Sequence, residues 1–171
     1  MGKIIYTNIE NLSLLLNAFV KLQANNVHLL LAGDGAEHEK LAAIAAASDR
    51  EAFIHFTGFK NQSYMPVLYQ AADLVCLPSV SETWGLAINE AMACQKAVLV
   101  SDKVGCAVDL VQQDVNGGIF KSGDEQDLLV QLTSLTSSKE LLKEHGKNSG
   151  RIIKDWNFTK VAEAIEHQIS V

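Results

Sequence analysis

DLVCLPSVSETWGLAINEAMACQKAVLVS, residues 73–101, sets two short apolar runs on either side of a glycine-containing loop and a largely apolar segment of helical length. The first run, DLVCLP, ends at Pro78, whose missing N–H cannot continue a strand ladder. Gly85 then opens a helix that carries Glu90, and AVLVS at 97–101 is the next strand. Both flanking runs are apolar throughout rather than at alternate positions. Strands of that kind have neither face in water, as in a parallel sheet covered by helices on both sides.

Outward from this unit the same alternation continues. KIIYT at 3–7, VHLLLA at 27–32, AFIHF at 52–56 and residues 117–120 read as further strands. Helices are predicted near 11–24, 36–48, 61–71, 106–112, 124–135, 138–147 and 158–169, with Trp156 and Phe158 expected to anchor the last one and Asp73 to cap the turn before its strand. The expected fold is α/β, a Rossmann-like three-layer domain with a parallel sheet of about six strands. No repeat, linker or second domain is evident, so residues 1–171 read as one domain.

With 48% hydrophobic and 20% charged residues, the chain can bury a sizeable core. A net charge of -6 without clustered Lys or Arg excludes a general nucleic-acid surface, so any anionic ligand must be held locally. No run approaches the roughly 20 apolar residues of a membrane span. The start, MGKIIYTNIE, has no signal-peptide pattern, which leads to the expectation of a cytoplasmic protein. Cys76, Cys94 and Cys106 lie in apolar runs and read as buried thiols. The five histidines have no ligand spacing, so no metal site is expected.

Ligands of open parallel sheets sit beyond the carboxyl ends of the strands. The loops 78–85, Gly33-Asp34-Gly35, Thr57-Gly58-Phe59 and 101–105 all lie at such ends and can converge on one cleft. Within the first, Glu82 and Glu90 are eight positions apart across a loop-to-helix junction. A carboxylate accepts hydrogen bonds from sugar hydroxyls, and the free N–H groups of a helix start favour phosphate. One short segment could thus hold both ends of a polyhydroxylated anion. Other readings stay open: Glu90 as a structural ion pair or rim residue, Glu82 as a solvated loop position, the Gly33–Gly35 turn as plain loop geometry, and Trp84 as a core plug rather than a pocket wall.

LLLNAF at 14–19, LLLAGDGAEHEKL at 29–41, HFTGFKNQ at 55–62, LYQAADLVCLPS at 68–79, SETWGLAINEAMAC at 81–94 and VNGGIF at 115–120 together resemble the donor-binding half of retaining glycosyltransferases of the large group 1 family, also called family 4, with the GT-B architecture. The two glutamates with seven residues between them form that family's signature. The resemblance implies that Glu82 binds a hydroxyl of the donor sugar and stabilises charge as the catalytic carboxylate. Thr83, Trp84, Gly85 and Leu86 would meet sugar and diphosphate, Glu90 the ribose, and the turn Gly58-Phe59-Lys60 the base. It further implies a nucleoside diphosphate sugar as substrate, no metal or other cofactor, and a partner domain, the amino-terminal acceptor half, which is absent from this chain and could bring the enzyme to the inner membrane. The chain would then be a piece of a longer enzyme or one subunit of a split one, inactive alone.

Departures from the family pattern lie near the amino terminus and just after the segment that carries Glu90. Lys3 can supply the expected first cation only if the following loop is about two residues longer, and Glu10 stands where a second Lys is expected. Gln95 and Ala97 replace a usual Gly and Pro. Two alternatives remain: a degenerate module that binds nucleotide or protein without catalysis, and a GT-B sugar-nucleotide epimerase or phosphorylase half.

Overall fold

The computed structural model describes the backbone of residues 2–6, 11–24 and 26–169, and the side chains from residue 11 onward among these except that of residue 161. Six parallel strands form one sheet: β1 (Gly2–Tyr6), β2 (Val27–Leu31), β3 (Ile54–Phe56), β4 (Leu74–Leu77), β5 (Ala97–Ser101) and β6 (Gly117–Phe120), in the spatial order β3-β2-β1-β4-β5-β6. The chain starts in the middle, builds outward to β3, then crosses back to β4 and builds the other way. The order therefore reverses between β1 and β4, which is the switch point where α/β sheets open a crevice. This is the expected Rossmann-like arrangement.

The helices are α1 (Leu12–Lys21), α2 (His38–Ala46), α3 (Met65–Ala71), α4 (Leu86–Ala93), α5 (Ala107–Leu110), α6 (Glu125–Leu135), α7 (Lys139–Ile152) and α8 (Phe158–Ile169). Strands β4 and β5 are the centre of the core: Leu74, Val75, Cys76 and Leu77, with Ala97, Val98, Leu99 and Val100, are all buried. Continuous apolar runs thus sit where both faces are covered.

Three boundaries differ from expectation for local reasons. The segment 51–53 winds into a 3-10 turn, leaving β3 only three residues. Residues 62–64 form another such turn, and α3 starts at Met65 with Pro66 in its first turn, where a missing N–H costs nothing. Helix α7 runs on past 147 to Ile152. Its two glycines do not break it because they are contact points: a Cβ on Gly146 would lie 2.2 Å from the carbonyl oxygen of Gln95.

The expected anchoring of the last helix is not what the structure shows. Trp156 is half-exposed and leans on Trp84, with ring centroids 5.5 Å apart, while Phe158 is 94% exposed and holds nothing down. Cys76 and Cys106 are buried and Cys94 partly so, all as free thiols. Among the described residues no helix is long and apolar enough to cross a membrane, and no group of three or more His, Cys, Asp or Glu gathers to hold a metal.

Candidate functional site

The carboxyl ends of β4 and β5 run into two loops that are laced together. Glu82 N–H donates to the Lys103 carbonyl at 3.1 Å, Gly105 N–H to the Glu82 carbonyl at 2.8 Å, and Cys106 N–H to the Trp84 carbonyl at 2.9 Å. These bonds extend the parallel pairing of β4 and β5 beyond the sheet, with a bridge between Glu82 and Val104. The buried Ser101 hydroxyl adds a tie to the Ser79 carbonyl at 2.5 Å. From across the switch point, the Asn11 amide donates to the Pro78 carbonyl at 3.1 Å, joining the start of α1 to the end of β4.

Two glycines permit this approach. A Cβ on Gly105 would stand 1.9 Å from the Thr83 carbonyl oxygen. Gly85 has φ 97°, and a Cβ there would meet Val104 Cγ1 at 2.8 Å and Leu77 Cδ2 at 3.1 Å. Residue 85 must therefore be glycine for α4 to begin at this point.

No side chain caps the start of α4. The first N–H groups of a helix have no intrahelical partner, so they and the positive end of the dipole face outward here. They face a hollow of about 360 Å³ lined by Leu77, Glu82, Thr83, Trp84, Gly85, Leu86 and Ala87. Glu82 stands on its wall with Oε1 accepting from Trp84 N–H at 3.3 Å. The thiol packed behind this lining is inert. Burial pushes Cys106 up to about 11, with Glu82 and Asp109 adding to the rise, so it stays protonated and is no nucleophile.

Glu90 lies further along α4 and does not line that hollow. Its Oε2 accepts from the hydroxyl of the buried Tyr69 at 2.8 Å, and its Oε1 from Gln62 Nε2 at 3.1 Å. The compensation that a half-buried carboxylate requires thus comes from side chains on α3 and on the turn before it. The two glutamates occupy separate surroundings on one helix and its leading loop, not a single shared hollow.

The turn at 57–60 sits at the carboxyl end of β3. Gly33 N–H donates to the Gly58 carbonyl at 3.1 Å, and Phe59 is 74% exposed. The Lys60 ammonium is engaged by carbonyls of its own turn, those of Thr57 and Phe59, and is not directed at the α4 tip. Gln62 lies two residues on and connects this turn to Glu90. Lys3 is the second residue of β1, in register with His28 and three residues short of Tyr6 at the cleft end. Glu10 lies outside the described residues. The Gly33–Gly35 loop bounds a hollow of only about 30 Å³, and its Asp34 accepts from the N–H of Gly35 at 3.0 Å, which is loop geometry.

Trp84 lines the tip hollow and is also packed, partly buried, against the core. Its indole N–H donates to Asn89 Oδ1 at 2.9 Å, and its ring meets Trp156. Beyond Asn89 lies a wide groove of about 930 Å³ under α8, lined by apolar side chains such as Trp156, Phe158 and Ile165. That groove is larger than the tip hollow, and Asn89, Asp155, Asn157, Lys160 and Gln168 also border it. Sequence reasoning missed Tyr69 and Gln62, because nothing in local periodicity says that α3 will place a hydroxyl on α4.

Residues 6–151 match the family profile described as glycosyl transferases group 1. An uncharacterized glycosyltransferase of Methanocaldococcus jannaschii is 32% identical over 118 residues, covering 68% of this chain and 30% of that protein. The chain spans about a third of the length of the curated relatives it matches. Among solved structures, Anabaena HepE in complex with UDP and glucose is similar with a TM-score of 0.82 at 24% identity, over 99% of this chain and 48% of that one. The C-terminal domain of a glycosyl transferase group 1 family protein from Francisella tularensis is similar with a TM-score of 0.80 at 20% identity, over 90% of this chain and 84% of that one.

Proposed function

The chain belongs to the group 1 glycosyl transferases, and from that premise we propose that it is the donor-binding half of a retaining enzyme that moves a sugar from a nucleoside diphosphate sugar to an acceptor hydroxyl. The observation that carries this reading is the line formed by Glu82, the uncapped start of α4 and Glu90. A nucleotide-sugar has polyhydroxylated groups at both ends and a dianionic linker between them. Laid along α4, it would present its sugar to Glu82, its diphosphate to the N–H groups at Gly85, Leu86 and Ala87, and its ribose to Glu90.

In this arrangement the leaving diphosphate gains charge as the glycosidic bond breaks, and preorganised N–H dipoles at the α4 start stabilise that charge without reorganising. Glu82 orients the sugar hydroxyls and stabilises positive charge developing at the anomeric carbon. The Gly58–Lys60 turn reads the base edge through its backbone, with Phe59 beside it. Lys60 would have to leave the carbonyls it now holds to reach a phosphate, and Lys3 sits back from the cleft end of its strand, so the α4 start bears the larger share. The reaction needs no metal in this scheme. The acceptor half, a second domain outside this chain, supplies the other wall of the cleft.

The test is a calorimetric titration of UDP, GDP, ADP and their sugars into the wild type and Glu90→Ala. Loss of ribose hydrogen bonds to a carboxylate weakens the preferred nucleotide by roughly 1–3 kcal/mol. No binding of any of these nucleotides by the wild type, or affinity untouched by the substitution, would remove Glu90 from a donor site. A degenerate module is the second reading, favoured by Glu10 in place of a cation; Glu10→Lys would sharpen donor affinity markedly if the site is damaged there.

A further inference from the structure

Glu90 is held at both oxygens. Tyr69 is 2% exposed, with its ring fixed in the core between α3 and α4, so its hydroxyl is a rigid donor to Oε2 at 2.8 Å. Gln62 approaches Oε1 at 3.1 Å from the turn that follows Gly58-Phe59-Lys60. A carboxylate has about four lone-pair sites, two on each oxygen. One donor on each oxygen leaves acceptor capacity on each. Such a pair matches two adjacent hydroxyls, as a fork matches a fork, and one oxygen left unheld would turn that match into a single mobile contact.

We infer that Tyr69 and Gln62 are positioning residues that fix Glu90 as a bidentate acceptor for the vicinal 2′ and 3′ hydroxyls of a ribonucleotide, so that selection of ribose over deoxyribose depends on a buried tyrosine that does not touch the ligand. This rests on the assignment of Glu90 to the donor ribose. Tyr69 is the stronger of the two because its position is set by the core; Gln62 is exposed, and its amide can be replaced by water. The exposed end of the device also joins the base-side turn to the ribose-side helix through one side chain.

The test uses the nucleoside diphosphate that binds best among UDP, GDP and ADP, together with its 2′,3′-dideoxy counterpart, titrated into the wild type, Tyr69→Phe, Gln62→Ala and Glu90→Gln. The phenylalanine keeps the ring and removes only the hydroxyl. Tyr69→Phe is expected to weaken the ribonucleotide about tenfold, and Gln62→Ala about twofold, both leaving the dideoxynucleotide unchanged. Unchanged dideoxynucleotide binding also shows that the variants are folded. If Tyr69→Phe weakens both ligands equally, or neither, while Glu90→Gln abolishes discrimination between them, the positioning role is overturned and the ribose assignment stands. If Glu90→Gln leaves discrimination intact, the ribose assignment falls and the inference with it.

Discussion

Helices α7 and α8 follow one another in the chain, and both are amphipathic with one stripe at helical spacing, yet they end in opposite circumstances. In α7 the stripe at Leu142, His145, Gly146 and Ser149 is buried, with Gly146 close enough to the Gln95 carbonyl to exclude a Cβ. In α8 every side chain described is exposed, including Ile165 at 54% and Ile169 at 78%. Amphipathic spacing makes a helix, whereas a facing surface shaped to receive it gives the helix a place. The site draws its rigidity from the α7 side of this contrast: α7 packs on β5 and on α4, and β5 leads straight into the loop that holds Glu82.

The largest break in that contrast comes from Leu142→Ala, which empties a position 4% exposed. The expected cost is about 3 kcal/mol from lost burial and the remaining cavity, or a fall of about 10 °C in the melting midpoint of a chain this size. A change under about 2 °C, well below one core truncation, would mean that α7 is held less firmly than its packing indicates.

Gly105→Ala tests whether the firmness reaches the site. The new Cβ overlaps the Thr83 carbonyl, so backbone must move on one side. Overpacking of that kind should remove about 2 kcal/mol of stability and part the two loops. Cys106 reports the parting. In the wild type its thiol is buried and pushed up to about 11 from an ordinary 9.0, so a thiol reagent at mildly alkaline pH should modify Cys94 and leave Cys106 untouched; in the variant Cys106 should react. The sign of the shift also sets a pH dependence. Below 9.0 the thiol is protonated in both folded and unfolded chains, and between 9.0 and about 11 only the unfolded chain ionises. Ionisation then draws the equilibrium toward the unfolded chain, so stability should decline as pH rises through that window. Equal reactivity of Cys94 and Cys106 in the wild type would contradict the laced loops.

Trp156→Ala is a smaller change, set between the two helices. It removes the ring against Trp84. The loss should cost about 1 kcal/mol, with a shift in the emission of the one remaining tryptophan as Trp84 gains solvent. An unchanged spectrum would show that the two rings do not touch in solution.

The same contrast divides what the sequence made legible from what it did not. The runs at 74–77 and 97–101 have only one environment that suits them, the middle of a covered parallel sheet, and Gly85 is the one residue type that admits its backbone angle and its neighbours. Those features are local and could be read. The hydrogen bonds from Glu82 and Trp84 to 103–106, the hydroxyl of Tyr69 on Glu90, and the exposure of Phe158 depend on residues distant in sequence, and no period in the chain encodes them. The separate surroundings of the two glutamates went unread for the same reason. Their spacing fixes how far apart they are along the chain, while the side chains that meet Glu90 come from α3 and the turn before it.

The smallest expected effect is the most direct trial of the contrast. Ile165→Ala in α8 removes as much apolar surface as many core substitutions, but from a side chain that is 54% exposed on a helix that covers little. Stability should therefore change by less than about 0.5 kcal/mol, as for other surface positions. Helix α8 has 12 residues. A helix that short is marginal in water without a partner surface. Amide exchange should accordingly be slow at the buried turns of α7 and within a few-fold of an open chain along α8. A cost above about 1 kcal/mol for Ile165→Ala, or strong protection along α8, would show that this helix has found cover in solution. Nearly free exchange there beside a protected α7 would establish that periodicity alone made α8, and that only packing made α7 part of the scaffold behind Glu82.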